Sequence, residues 1–145
     1  EVSKTYVAAV VNAPERTAGI LKHALLRDRD KNKSKVVSPG HKTAKRAELR
    51  YETLGTSDKY WFLSVHPATG RHHQIRVQLS AMGCPIKGDV KYGAPRTNPD
   101  GSIHLHAYKL EFVHPVSKAK ITITDDPPED PVWNALRPIL QSKIL

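Results

Sequence analysis

The segment Lys45–Leu54 alternates apolar and charged side chains with a period of two. Ala47, Leu49 and Tyr51 fall on one side of an extended chain at this spacing. The charged positions between them are Arg46, Glu48, Arg50 and Glu52. Because successive side chains of a strand point to opposite faces, the pattern predicts a strand with one face on a core and the other in water. The chain is therefore expected to build a sheet with one solvent-exposed face.

Other extended segments indicate the same class of fold. Tyr60–Val65 is nearly all apolar, which predicts a central strand covered on both faces. In Ile103–Phe112 the parity of the apolar residues changes near Tyr108 and Lys109, and a β-bulge there accounts for the change. The remaining predicted strands are Tyr6–Val11, Gly19–Leu26 and Lys120–Thr124.

One interior helix is predicted after the strand Tyr60–Val65. Ile75, Leu79 and Met82 recur at helical spacing. Thr69 is a suitable N-cap residue and Gly83 a suitable C-terminal stop. The spacing therefore predicts a short amphipathic helix between these two signals.

The last segment, Pro131–Leu140, predicts a terminal helix that begins with a proline and is interrupted at Pro138. With the strands above, the elements predict an α+β fold in which a mainly antiparallel (mixed) β-sheet carries few helices. A chain of 145 residues is one ordinary domain's worth of sequence, so we expect a single domain over residues 1–145.

Charge and cysteine content limit the possible partners and compartments. The sequence has 23 Lys and Arg against 14 Asp and Glu, a formal net charge of +9. Such an excess favours a polyanionic partner, whether RNA, DNA or anionic lipid. The single cysteine, Cys84, excludes an intramolecular disulfide and a thiolate zinc cluster. With no long apolar run and no secretory signal at the start, we expect a cytoplasmic protein without a membrane span.

A tract of alternating charge, RDRDKNKSK, follows the second predicted strand. Its cations would follow a phosphate backbone and make binding sensitive to salt. The alternative is a solvated, mobile loop, because Asp28 and Asp30 dilute the positive charge. We predict the first role, RNA binding, for Arg27, Arg29, Lys31, Lys33 and Lys35.

The start of the predicted interior helix, GRHHQIR, is crowded with cationic and hydrogen-bonding side chains. A helix N-terminus exposes unpaired N–H groups and a partial positive charge, so it suits an anion, and Arg71 strengthens that preference. Arg76 lies close to the apolar stripe of the helix. A buried guanidinium there would need a carboxylate or phosphate partner, whereas the alternative is a solvated surface arginine.

A metal site is a further alternative, because His72, His73, His104 and His106 would bind a metal if they converged. No cysteine or acidic ligand stands at the customary spacing. Strand alternation also places His104 and His106 on the polar face of one strand. We therefore predict no metal site.

The stretch GRHHQIRVQLSAMGCPIKGDVKYGA resembles the RluA-type RNA pseudouridine synthases. The family pattern here is G-R-x-H-Q-I-R-V-x-L, followed by G-x-P-I-x-G-D-x-x-Y-G. Three further stretches agree in the same order along the chain: KTYVAAV, HALLRDRDKNKSKVV and LHAYKLEFVHPV. The resemblance extends over about residues 4–133.

The resemblance implies an isomerase that converts uridines of ribosomal or transfer RNA to pseudouridine without metal or organic cofactor. In this family an Asp of an H-R-L-D motif is the nucleophile, a Tyr packs beside the base, and an Arg pairs with the Asp. Carried to this sequence, the catalytic residues are Tyr6 and Arg76. The substrate-binding residues are Leu79, which would line the uracil pocket, together with Arg71, His73 and Gln74. The target base must be flipped out of its stack to be reached.

The sequence departs from the family at the nucleophile, because no H-R-L-D occurs in it. We expect this Asp upstream of the KTY strand in a longer protein, so that this chain is truncated at its N-terminal side and inactive alone. The alternative is a non-catalytic RNA-binding relative that has lost the Asp. Asp89 matches the family's G-D pair, which is not the nucleophile, so the carboxylate partner of Arg76 is expected outside the 145 residues. We also expect a monomer.

Overall fold

Seven strands, each paired antiparallel to its neighbours, form one sheet in the computed structural model, which describes residues 2–143. The strands are β1 (Val2–Val10), β2 (Ala18–Asp28), β3 (Lys33–Val37), β4 (Lys45–Thr56), β5 (Trp61–Pro67), β6 (Leu105–Val113) and β7 (Lys120–Thr124). The helices are α1 (Gln74–Ala81) and α2 (Pro131–Gln141), with a 3₁₀ turn at Val90–Tyr92. The strand order is β3-β2-β4-β5-β1-β6-β7. The predicted α+β class and antiparallel sheet are confirmed.

The interior strand β1, which pairs with the middle strand β5, packs on both faces, because its alternating residues belong to two separate cores. Ala8 and Val10 lie in the core under α1, and Tyr6 packs against that core. Val7 and Ala9 lie in the core under α2. Burial of each large apolar side chain stabilises the fold by about 1.5–3 kcal/mol. The helices therefore lie on opposite faces of the sheet.

The strands predicted from clean alternation are confirmed, and so is the bulge. Thr5 of β1 pairs with Lys109, whereas the next residue, Tyr6, pairs with Ala107. Tyr108 is therefore the extra residue of β6, where the parity change predicted a bulge. A bulge bends the strand locally, and this bend lies directly beside Tyr6.

The charged tract RDRDKNKSK forms the end of β2, a turn and the start of β3, and it is therefore a hairpin and not a loop. The backbone N–H of Lys31 donates to Asp28 Oδ1 at 3.2 Å, and Asn32 adopts a left-handed conformation with φ 47°. These are features of a tight turn that closes β2 against β3. The prediction missed β3, whose sequence KSKVV lacks a clear apolar period.

The start of α1 differs from the prediction. His73, with φ 53°, is the N-cap residue, so the prediction of Thr69 is wrong. Thr69 Oγ1 instead accepts the N–H of Glu48 at 3.0 Å and donates to Gln74 Oε1 at 2.7 Å. Gly83, with φ 89°, follows the C-cap residue, which confirms the predicted stop.

The helix α2 begins at Pro131 as predicted, but it continues through Pro138 to Gln141, so the predicted interruption is wrong. Proline lacks one helical hydrogen bond. The face that buries Trp133, Leu136 and Leu140 against the sheet offsets that loss. Within residues 2–143, no helix is long and apolar enough to cross a membrane.

Asp130 and His104 anchor the start of α2. Asp130 Oδ2 accepts the N–H groups of Val132 and Trp133, both at 3.0 Å, as an N-cap residue does. It also lies 2.7 Å from His104 Nε2, whose ring packs 5.0 Å from that of Trp133. His104 is buried and precedes β6, so its prediction on the polar face of a strand is wrong.

Candidate active site

A cleft of about 570 Å³ opens between the first half of β1 and the segment that joins β5 to α1. Tyr6 and Arg76, the residues predicted to be catalytic, both line it. Arg71, His73 and Gln74, predicted to bind substrate, line it as well. The other lining residues are Val2, Lys4, Pro67, Ala68, Thr69, Gly70, Ile75 and Leu105. The fold thus brings five of the six residues predicted to be catalytic or substrate-binding to one place, whereas none of the five residues predicted to bind RNA lines this cleft.

Arg76 is held by a buried carboxylate of the same chain. Its Nε lies 2.8 Å from Asp89 Oδ2 and its Nη2 lies 2.7 Å from Asp89 Oδ1, a bidentate pair. The Asp89 side chain is 1% exposed and that of Arg76 is 21% exposed. The hydrogen bond to Asp89 raises the pKa of Arg76, against the opposing effect of burial. The solvated-arginine alternative and the expectation that no carboxylate of this chain pairs with Arg76 are both wrong.

The turn before Asp89 requires glycine. Gly88 has φ 88°, and a Cβ added to it would lie 2.6 Å from Asn98 Nδ2 and 2.8 Å from the Ser102 carbonyl oxygen. A side chain would therefore be strained by the backbone and would also collide with the neighbouring loop. Glycine at this position lets the chain turn tightly and direct Asp89 toward Arg76.

His73 bridges Arg76 and Tyr92. Its Nε2 lies 3.1 Å from Arg76 Nη1, and its Nδ1 lies 2.8 Å from Tyr92 Oη. Burial, then the nearby Arg76 charge, lowers the pKa of His73 to about 4, so the ring is neutral at pH 7. Because a guanidinium can only donate, Nε2 must be the acceptor and Nδ1 carries the proton that is donated to Tyr92. Arg76 thereby fixes the tautomer of His73.

Tyr92 connects this group to the β2–β3 hairpin. Its hydroxyl accepts the backbone N–H of Ser34 at 2.9 Å. The Arg76 Cζ atom lies 5.0 Å from the centre of the Tyr92 ring, within cation–π distance. Asp89 and Tyr92 both match the G-D-x-x-Y-G pattern, yet neither was predicted to be a site residue. The spacing of that motif was the available signal.

Arg76 lines the cleft and keeps donors that no described residue accepts. A guanidinium carries five N–H groups. Asp89 takes the Nε hydrogen and one on Nη2, and His73 takes one on Nη1. One hydrogen on Nη1 and one on Nη2 have no acceptor within residues 2–143. This remaining edge suits a second anion, either a carboxylate or a phosphate.

Gln74 supports the wall of the cleft through buried hydrogen bonds. It is buried, its Oε1 accepts from Thr69 Oγ1 at 2.7 Å and from Arg71 N at 3.0 Å, and its Nε2 donates to Glu48 O at 3.0 Å. These bonds fix the segment between β5 and α1 against β4. Gln74 therefore positions the cleft wall, and its amide is already engaged.

Leu79, predicted to line the uracil pocket, lies elsewhere. It is fully buried in the core between α1 and the sheet, together with Ala8 and Leu63, and it is not among the cleft residues. Contact with a base is therefore not supported for Leu79. Ile75 and Leu105 supply apolar surface to the cleft in its place.

The histidines of the alternative metal site fall into two separate groups. The rings of His72 and His73 stack at 3.8 Å. His104 and His106 instead pack against Trp133, with ring centres 5.0 and 6.3 Å from it. These contacts do not bring the four rings to one centre, and residues 2–143 contain no group of three or more metal-ligating side chains.

The fold and the cleft together define the class of protein. The model of the RNA pseudouridylate synthase family matches residues 1–81, and the chain belongs to this family. Its relatives make it RluA-type, as the resemblance predicted. One is the dual-specificity RNA pseudouridine synthase RluA of Yersinia pestis, which is 35% identical over 79% of this chain and 56% of its own length.

Other relatives agree. An uncharacterized RNA pseudouridine synthase of Chloroflexus aurantiacus is 40% identical over 79% of this chain and 35% of its own length. The solved structure of human RNA Pseudouridylate Synthase Domain Containing 4 is 26% identical with a TM-score of 0.73, covering 95% of this chain and 62% of that one. The chain thus spans about a third to under two thirds of the length of these relatives.

Proposed function

We propose that the complete protein isomerises selected uridines of ribosomal or transfer RNA to pseudouridine. The observation that carries this proposal is the cleft shared by Tyr6 and Arg76, in which Arg76 keeps an unoccupied N–H edge. Relatives named for both kinds of RNA, such as the ribosomal large subunit pseudouridine synthase D of Borreliella burgdorferi and the tRNA pseudouridine synthase C of Pectobacterium carotovorum, support the substrate class.

The role proposed for Arg76 is to hold the nucleophilic aspartate. Asp89 anchors one edge of the guanidinium, so the other edge is pre-oriented for a second carboxylate. A fixed cation beside that carboxylate keeps it ionised and aimed at the sugar of the flipped nucleotide. We propose that this aspartate belongs to an H-R-L-D motif encoded before Tyr6.

The role proposed for Tyr6 is to pack beside the flipped uracil. Its side chain projects from β1 toward α1, where it packs against the core and also borders the cleft. After the N-glycosidic bond breaks and C5 bonds to the sugar, the C5 proton must leave. Tyr6 is placed on the wall of the cleft where it would assist that proton transfer.

Tritium release tests the proposal, since formation of the carbon–carbon bond expels the hydrogen of C5. The protein expressed from its complete gene should release tritium from ribosomal or transfer RNA transcripts labelled at C5 of uridine. Arg76→Ala should lower the turnover by about a thousand-fold, with RNA affinity within a few-fold of wild type. Arg76→Lys keeps a charge for Asp89 but loses the second edge, so its turnover should fall strongly as well.

The matched control is Arg16→Ala, an exposed arginine in the β1–β2 connection whose loss should leave turnover unchanged. Near-normal turnover of Arg76→Lys would remove Arg76 from the proposed role. If the wild type binds these transcripts but releases no tritium, the alternative of a non-catalytic RNA-binding protein stands. For the protein as a whole we also propose a cytoplasmic monomer.

A further inference from the structure

A second depression lies beside the cleft, with a volume of about 410 Å³. Four of its lining side chains are cationic, namely Arg27, Arg29, Lys45 and Arg71, and no carboxylate is among its lining residues. Among the ion pairs within residues 2–143, none involves any of these four side chains. Charge is therefore concentrated here without an internal counterion.

Strand alternation puts two of these cations on the same face as the cleft. Leu25 of β2 packs against Val77 of α1, so Arg27, two residues further along, projects to that face. Lys45 is the cross-strand partner of Leu25 and also lies on that face. Lys35 of β3 pairs with Leu26 and therefore points to the opposite face.

Arg71 stands between the two cavities, because it lines both of them. Its Nε donates to the backbone oxygen of Arg46 at 2.9 Å, which holds the guanidinium in place. The two terminal nitrogens make no hydrogen bond to any residue from 2 to 143. A ligand in the cleft and a ligand in the depression would thus share this one side chain.

His72 lines the depression, and its pKa reflects the positive electrostatic potential there. Burial lowers the pKa of His72, and the positive charges of Arg27, Arg76, Lys91 and Arg29 lower it further. A site that disfavours an added proton in this way favours an anion.

We propose that this depression binds the RNA phosphodiesters that flank the target uridine, with Arg71 between the flipped base and the backbone. The proposal rests on the proposed function, because it takes the base in the cleft to be part of a polynucleotide. Flipping removes a base from its stack and costs unstacking free energy. Phosphates held by fixed cations beside the cleft would offset that cost and release condensed counterions.

The salt dependence of binding tests the proposal on the protein expressed from its complete gene. The probe is an oligouridylate of about ten nucleotides, within the site size of single-strand binders. For Lys45→Ala, the slope of log K against log salt concentration should become shallower by about 0.7, the value for one lost single-strand phosphate contact. Arg71→Ala should show a similar loss of slope together with lower turnover.

The matched control is Lys22→Ala. Lys22 is also an exposed lysine, but it lies on β2 three residues before Leu25 and points to the opposite face. Its loss should leave the slope unchanged. Equal slopes for Lys45→Ala, Lys22→Ala and wild type would overturn the proposal.

Neutral phosphates provide a second measurement. Replacing one phosphate at a time by methylphosphonate should identify a position that weakens binding to wild type and not to Lys45→Ala. The absence of any such position would also overturn the site. Tritium release by the wild type is measured separately. If the wild type releases no tritium but Lys45→Ala still makes the salt slope shallower, only the isomerase proposal is overturned.

Discussion

Two polar networks lie on opposite faces of the sheet. They differ in whether a hydrogen-bonding group is left without a partner in the protein. On the α1 face, Asp89, His73 and Tyr92 surround Arg76, which lines the cleft and keeps two N–H groups without an acceptor among residues 2–143. On the α2 face, His104 donates Nε2–H to Asp130, whose Oδ2 also caps the helix. We call the second network closed, because Asp130 Oδ2 takes all three of its hydrogen bonds from groups of the protein, and the first open, because two N–H groups of Arg76 have no acceptor among residues 2–143.

The difference shows how a buried polar group can be assigned to stability or to binding. A closed network compensates the desolvation of its members, so its contribution is structural. An open network holds one member in a fixed orientation and leaves part of its hydrogen-bonding capacity to a ligand. Both networks contain a histidine and a carboxylate, which bond to each other in the second network and are joined through Arg76 in the first.

The largest effect is expected from removing the carboxylate of the open network. Asp89→Ala leaves a partly buried guanidinium without its partner and should lower the free energy of unfolding by about 2–3 kcal/mol, discounted for the exposed part of Arg76. Asp130→Ala, the matched change in the closed network, should cost about 1–2 kcal/mol through the lost cap and hydrogen bond. Urea denaturation measures both.

Turnover separates the two variants further. In the proposed tritium-release assay, once the folded fraction is corrected for, Asp130→Ala should match the wild type, whereas Asp89→Ala should be severely impaired because Arg76 loses its orientation. If the two variants lost turnover equally, the distinction between open and closed networks would fail.

An intermediate loss of stability is expected from substitution of Gly88. This residue lies between Asp89, which belongs to the open network, and Lys87, which contacts the closed network through Asn98. Lys87 Nζ donates to Asn98 Oδ1, and Asn98 Nδ2 lies 3.0 Å from His104 Nδ1. Gly88→Ala would push a methyl group against Asn98, in addition to the strain of its positive φ. We expect a loss of about 2 kcal/mol in unfolding free energy.

Gly83→Ala is the control, because Gly83 has φ 89° but no atom within 4 Å of an added Cβ. It should cost about 1 kcal/mol from backbone strain alone. Thermal unfolding measures the stability loss of both variants. The loss in Gly88→Ala minus the loss in Gly83→Ala gives the contribution of the steric clash. Equal melting temperatures would mean that the loop at Asn98 moves aside at no cost.

The smallest effect concerns pH. Because the folded-state pKa of His73 is lowered to about 4, the unfolded chain binds more protons than the folded chain between that value and 6.5. Stability should therefore fall as the pH is lowered from 6.5 to about 4. Substitution His73→Gln should flatten that slope in pH-dependent urea denaturation.

The closed network responds in a lower pH range. Burial would raise the pKa of Asp130, but hydrogen bonds from His104 and from the Trp133 backbone lower it overall from 3.8. Its contribution is present above 3.8 and is lost as the pH falls below that value. Burial also lowers the pKa values of His23, His66 and His72, so part of the slope between 6.5 and 4 should remain in His73→Gln. A slope as steep as that of the wild type would assign the titration to those groups and not to His73.

The sequence predicted the elements whose signals are local. Alternation located β4, the parity change located the bulge at Tyr108, and the proline located the start of α2. The strand β3 was missed because its buried Ser34 is held by Tyr92, which is 58 residues away in sequence. No local pattern encodes such a contact.

The sequence likewise predicted some residues of the site and missed others. The motif assigned Tyr6 and Arg76, and the physical demand for a carboxylate beside Arg76 was correct. The sequence did not identify Asp89 as a carboxylate beside Arg76, because Asp89 reaches Arg76 through a turn whose geometry depends on Gly88 and the loop behind it. Spacing along the chain cannot specify such a turn.

Position 73 accepts few amino-acid types for reasons that act together. The residue there must tolerate a left-handed backbone, offer an acceptor to Arg76 and offer a donor to Tyr92. Glycine meets the first requirement and neither of the others, whereas glutamine meets the last two at a conformational cost. Histidine is among the residues that tolerate this backbone region, and its two ring nitrogens serve both neighbours. Sequence variation at this position should therefore be narrower than at the neighbouring His72.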